Sequence, residues 1–257
     1  MSEPTEAKGL PPIDLNEYGG KKDGVKQAMD RRLFMQLLVF RAPAGGEPKS
    51  GGPNQAPDAI GQELVSTLRA RKIPGVVYAD CQDPRSLGLL TWSEDASHFV
   101  KNVRPLFAES FLSSVTLRDD FAMIGRTYGT GHEPDLEWTL MRRPIEHVTG
   151  EQWRWHVWYP LRRKGIFSKL EPIDQSHILR EHAALGIAYG QTELATDVRL
   201  ACHGLDAGDN EFVIGLVGKD LHPLSHLVQA MRKTRQTSEF IEKMGPFFVG
   251  YVLGVSH

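Results

Sequence analysis

The sequence predicts an α+β fold made of two ferredoxin-like βαββαβ repeats in one chain. Three observations carry this. β-rich and helix-periodic segments follow one another in the same order in both halves. An eight-residue echo, "SHFVKNVR" at 97–104 and "SHLVQAMR" at 225–232, shares S-H-x-V-x-x-x-R at the same place in each half. The composition, 40% hydrophobic and 24% charged, is that of a globular chain able to bury a sizeable core.

The elements justify themselves in order. Residues 1–30 are rich in Gly, Pro, Lys and Asp without periodicity, and read as an arm that is disordered alone and suited to lie on a partner subunit. The first repeat, 31–150, opens with the β-rich "LFMQLLVF" (33–40). A long loop, "APAGGEPKSGGPNQAP" (42–57), leads to a helix at 58–71 with Ile60, Leu64 and Leu68 on one face. Strands "GVVYAD" (75–80) and "LGLLTW" (87–92), a helix near 95–104 and the strand "FAMIGRTY" (121–128) complete it. The second repeat, 151–257, runs strand "RWHVWYPL" (154–161), a helix around "LREHAALGIAYG" (179–190), strands "VRLACHG" (198–204) and "EFVIGLV" (211–217), a helix at 221–232 and the strand "FFVGYVLG" (247–254). Two such units side by side can join their sheets into one curved sheet or barrel with the helices outside.

The totals exclude several classes. A formal net charge of -2 and a pI near 6.6 give no basic field for nucleic acid or an acidic membrane. Cys81 and Cys202 make no disulfide framework in a chain of this length. The polar start "MSEPTEAKGL" has no signal-peptide pattern, and no apolar run reaches the roughly 18 residues of a membrane span. The expectation is a cytoplasmic protein.

His182 interrupts an apolar helical stripe. Ile178, His182, Leu185 and Tyr189 share a face, and Ala183, Ala184 and Gly186 crowd round the imidazole. Such a histidine suits haem iron, a neutral imidazole on a rigid helix with room for a macrocycle, or it is an ordinary core histidine. Val157, Tyr159 and Leu161 share one strand face, so Tyr159 either donates a hydrogen bond or carries a radical in a cavity, or packs as a half-buried tyrosine. Arg162, Arg163 and Lys164, and likewise Arg142 and Arg143, suit bidentate binding of carboxylates or a solvated strand end. Arg199, sharing a face with Ala201 and His203, lies either toward solvent or over a cavity, where it would steady an anionic oxidant. His222 and His226 have metal-ligand spacing, but Pro223 between them marks a helix start and no third ligand is evident.

From "WYPLRRKG" through "ILREHAALGIAYG" and "HGLDAGDNEFVIGL" to "LVQAMRKTRQTSEFIEKMGPFFVG", the second half resembles the chlorite dismutase-like superfamily of haem proteins. The similarity covers about 154–251; the first half matches in element order and "DRRLFMQLLVF". The resemblance implies a dimeric α+β barrel, a homo-oligomer with a pentamer favoured, and haem b or coproheme with His182 as proximal iron ligand. It implies either peroxide-dependent decarboxylation of coproheme to haem b or breakdown of chlorite to chloride and dioxygen. Tyr159-Pro160 with Arg163 looks like the Y-P-x-x-[KR] motif of the decarboxylases, with Tyr159 as radical relay and Arg143 and Arg163 toward the propionates. Arg199 falls where chlorite enzymes place a distal arginine, if "GQTEL" is an insertion; His203 is the alternative. The carboxylate that chlorite enzymes set against the proximal histidine is expected near Val217 and is missing. A haem carrier or sensor, or a haem-free barrel, is the remaining reading.

Overall fold

The computed structural model describes residues 12–43 and 57–257. The element order is β1 (Glu17–Lys22), β2 (Val25–Met29), β3 (Phe34–Arg41), α1 (Pro57–Ala70), β4 (Gly75–Asp80), β5 (Ser86–Ser93), β6 (Thr116–Leu117), β7 (Met123–Thr127), α2 (Arg143–Thr149), β8 (Trp155–Arg163), α3 (Pro172–Gln191), β9 (Thr196–Ala201), β10 (Phe212–Gly218), α4 (Leu221–Met231), β11 (Ile241–Met244) and β12 (Phe248–Ser256). The expected helix near 95–104 is irregular: a π turn at Phe99–Val103 runs into a 3-10 turn at Arg104–Ala108, with Pro105 breaking regular α hydrogen bonding.

The duplication is visible in the pairing. In the first repeat the strands lie in the order β7-β3-β5-β4, and in the second β12-β8-β10-β9, the same permutation of first, second, third and fourth strands. The repeats join at β4–β12 and at a short β7–β9 contact, and the β8–β10 pairing closes the ring. All pairings are antiparallel. The result is an eight-stranded α+β barrel, with β6 and β11 as short additions to its rim.

Strand alternation sorts side chains to two faces. Met35, Leu37, Val76, Tyr78, Trp158, Val198, Val213 and Phe248 fill the barrel interior. Outside, α1 covers the first repeat, with Ile60, Leu64, Val65 and Leu68 on Val77, Leu87 and Leu89. Outside the second repeat, α3 and α4 lie over Val157, Tyr159, Leu161 and Leu216. Each fully buried large side chain contributes roughly 1.5–3 kcal/mol of apolar transfer energy.

Of the arm expected over 1–30, residues 1–11 lie outside the described residues. Residues 17–29 instead form the β1–β2 hairpin. Asp23 and Gly24, both at positive φ (53° and 81°), make the tight turn that "DG" favours. The hairpin docks on the same chain: Gln27 Nε2 donates to Gly20 O and Glu133 O, and Glu17 pairs with Arg126 at 2.6 Å. The loop at 42–57 falls largely outside the described residues. No described helix is long and apolar enough to cross a membrane.

Candidate functional site

The face of the second repeat under α3 is a grid set by register. Arg199 of β9, Ile214 of β10 and Tyr159 of β8 lie in one cross-sheet row; Asp197, Leu216 and Val157 form the next. Val198 and Leu200 belong to the barrel core, so Asp197 and Arg199 between them point outward, toward α3. Both keep about a third of their side-chain surface accessible, 33% and 37%, although they stand within a strand beneath a helix.

Helix α3 begins with Pro172 at its first turn and runs 20 residues, yet Ile178 is its only fully buried side chain. A Cβ placed on Gly186 meets nothing nearer than Met231 Cε at 3.9 Å. The small residues on this face thus leave room beside the imidazole of His182, which is half-buried. Burial holds the His182 pKa below the ordinary imidazole value, with Arg199 acting in the same direction and Asp197 opposing. Its Nδ1 lies 3.5 Å from Thr234 Oγ1, whose own proton goes to Met231 O at 2.7 Å. With its proton so placed Thr234 can accept from His182, an arrangement that suits the tautomer with its proton on Nδ1 and the Nε2 lone pair available to ligate. On the α4 side of the helix a cleft of about 470 Å³ is lined by Glu181, Leu185, His226, Lys233 and Thr234, among others.

Tyr159 is buried, and its ring stacks on Phe247 at 4.6 Å and 29°. Burial raises its pKa well above the usual phenol value, and the negative charge of Asp197 adds to this. The phenol is held in one orientation and stays protonated. The basic residues are engaged. Arg143 pairs with Asp197, and Arg163 donates from Nε to Glu211 at 3.0 Å while lying 4.7 Å from the rings of both Phe167 and Phe212. Both are thus ion-paired within the chain.

The structure separates His203 from Arg199 and places Val217. β9 ends at Ala201, and His203 lies beyond it, exposed, with its ring edge on Phe212; Arg199 alone of the two lies within the strand facing α3. Val217 is fully buried on the barrel side, so it is not the residue that neighbours His182; the α3-side positions are Leu216 and Gly218, and neither is an acid. His222 and His226 stack edge to face, and His226 bonds to the Tyr189 hydroxyl; no cluster of three metal-ligating side chains occurs among the described residues.

Sequence reading missed Asp197 and Thr234. The signal for Asp197 was parity alone: two residues before Arg199, it shares that face. Nothing local marks Thr234, which meets His182 across 52 residues of chain.

The model of the family described as chlorite dismutase matches residues 137–253. Over that stretch, a little under half of its length, the chain is similar to the chlorite dismutase family. A heme-binding protein from Thermus thermophilus has the same fold, with TM-score 0.66 and 16% identity over 86% of this chain and 91% of the other. Chlorite dismutase from Candidatus Nitrospira defluvii, solved in complex with imidazole, superposes with TM-score 0.64 and 14% identity over 87% and 92%. No curated protein matches the chain in sequence. The superfamily match spans α2 to β12, the stretch that holds His182, Tyr159, Asp197 and Arg199.

Proposed function

We propose that this protein is a haem-binding oxidoreductase that uses peroxide to decarboxylate coproheme to haem b. The observation that carries the reading is Tyr159: a buried, stacked phenol on the sheet face that α3 and α4 cover, in one row with Arg199. The residues fit an iron porphyrin. His182 offers a neutral imidazole with Nε2 free, Gly186 leaves space beside it, and Asp197 and Arg199 supply polar groups on the opposing sheet.

Bound iron porphyrin supplies the oxidising equivalents delivered by peroxide. Each propionate that becomes a vinyl group gives up carbon dioxide, one proton and two electrons. Tyr159 relays electrons one at a time, and because its phenol is held protonated it loses a proton with each electron. Phe247 fixes the ring for that transfer. Arg163, whose Nε is taken by Glu211, has its terminal amino groups left for a propionate, while Arg143 acts through Asp197.

The test is titration with coproheme, then stepwise peroxide with mass analysis of the porphyrin. Loss of two carboxyl groups is expected, abolished in Tyr159→Phe with coproheme binding intact; full turnover in that variant removes Tyr159 from the role. The second reading is chlorite breakdown at haem b, favoured by Arg199 lying within the strand that faces α3. It gains if the porphyrin mass is unchanged and chlorite yields dioxygen, with loss of that activity in Arg199→Ala.

A further inference from the structure

Asp197 is a charged side chain on the ligand-side face that neither the relay nor the iron-binding role uses. One of its oxygens receives Arg143 from α2; the other lies 3.3 Å from Arg199 Nε. The backbone around it is braced from the same helix, since His147 Nδ1 lies 3.2 Å from Asp197 O and 3.0 Å from Thr196 Oγ1. Burial pushes the Asp197 carboxyl up, but Arg199 and Arg143 together hold it below the usual carboxylate range, so it is an anion at neutral pH. Arg199 is the reciprocal case: Asp197 beside it stabilises its charge.

The consequence is geometric. An arginine that is to hold an oxyanion must swing its fork off the sheet toward the ligand. Here a carboxylate two residues away on the same strand face forms an ion pair with the guanidinium on its Nε side and draws it along the sheet. An anion entering the site meets a fixed negative charge beside the cation. A neutral, proton-bearing oxidant meets a hydrogen-bond acceptor instead.

We propose that Asp197 is a specificity-determining residue that holds Arg199 to the sheet and makes the site select hydrogen peroxide over anionic oxidants such as chlorite. This rests on the reading that an iron porphyrin lies between His182 and β9, and the experiment separates the two ideas. Haem b is added first, and a Soret band with a His182-dependent spectrum establishes loading. Fluoride, a small anionic probe, is then titrated optically into native protein, Asp197→Asn, Arg199→Gln and the double variant.

Removing the carboxylate should tighten fluoride binding about tenfold or more, the scale expected for one unit charge at close range in a partly buried site. Arg199→Gln should change the affinity less than about threefold in the native background and remove the gain in the Asp197→Asn background. The ratio of peroxide to chlorite turnover should fall in Asp197→Asn. Equal fluoride affinity in native protein and Asp197→Asn overturns the proposal, as does a tenfold loss in Arg199→Gln alone, which would mean that Arg199 already serves anions.

A haem-free measurement stands beside these. In the native apo-protein the Arg199 side chain should be restricted in motion by NMR relaxation at Nε, and mobility equal to that of exposed arginines overturns the tether. Failure to take up haem would sink the proposed function while this measurement still decides whether Asp197 holds Arg199. If Asp197→Asn does not fold, the Arg199→Gln titration and the Arg199 relaxation measurement decide on folded protein.

Discussion

Helices α1 and α3 occupy equivalent places in the two repeats and are built for different work. α1, 14 residues long, turns Ile60, Gly61, Leu64, Val65 and Leu68 fully into the sheet. α3, 20 residues long, buries Ile178 alone. The first helix stabilises the barrel through close packing; the second spends its inward face on an imidazole and small residues. A helix released from core duty can carry a ligand, and its neighbours on the sheet can be charged.

The largest effect should come from the packed helix. Leu64 is fully buried, and Leu64→Ala should cost about 3–4 kcal/mol in urea unfolding, since the site cannot collapse around the cavity. Leu185, at the corresponding inward position of α3, is only half-buried, and Leu185→Ala should cost less than about 1 kcal/mol. Equal losses at the two sites would erase the distinction between the helices.

How much of this was legible in the sequence follows from where the information sits. The strands and main helices are written in local periodicity, and alternation alone grouped Tyr159 with Val157 and Leu161, which pack together. The 17–29 hairpin was passed over because its strands are short and exposed, although Asp23-Gly24 announced the turn. The ion pairing that engages Arg143 joins residues 54 apart in the chain, and no period connects them. The missing acid was sought at Val217, on the wrong face, because strand parity is lost once an alignment slips by one residue.

Two histidines carry the same contrast across the thickness of the sheet. His156, in the barrel, is fully buried with Nδ1 2.8 Å from the Tyr78 hydroxyl and Nε2 3.3 Å from Trp153 O. Burial pushes its pKa down to about 3. Its folded value lies below that of the unfolded chain, so the unfolded chain binds the proton first. Stability from this group is complete above about pH 6.5 and is lost as pH falls. Between pH 7 and pH 5 the loss should be about 2 kcal/mol, and the His156→Phe variant should show a shallower slope although it is less stable at pH 7. Parallel slopes would show that other groups, not this histidine, set the acid limit. His182, half-buried and also held neutral, should contribute a weaker slope, and one that haem ligation would remove.

The smallest effect is the most specific to the comparison, because it uses one residue type in both helices. A Cβ at Gly61 in α1 would lie 2.8 Å from Leu253 Cδ1 and 3.5 Å from Leu87 Cδ2, inside a filled core. At Gly186 in α3 the nearest atom is 3.9 Å away. Glycine within a helix costs roughly 0.5–1 kcal/mol relative to alanine through backbone entropy. Gly186→Ala should therefore stabilise the haem-free protein by about that amount, while at Gly61 overpacking cancels the gain or reverses it by about 1 kcal/mol. Gly186→Leu extends the argument, because its side chain would fill the space beside His182. It should leave the melting temperature of the apo-protein near native and suppress the Soret band on haem addition. If Gly186→Leu binds haem as the native protein does, the room beside the imidazole does not serve the ligand, and the openness of α3 needs another cause.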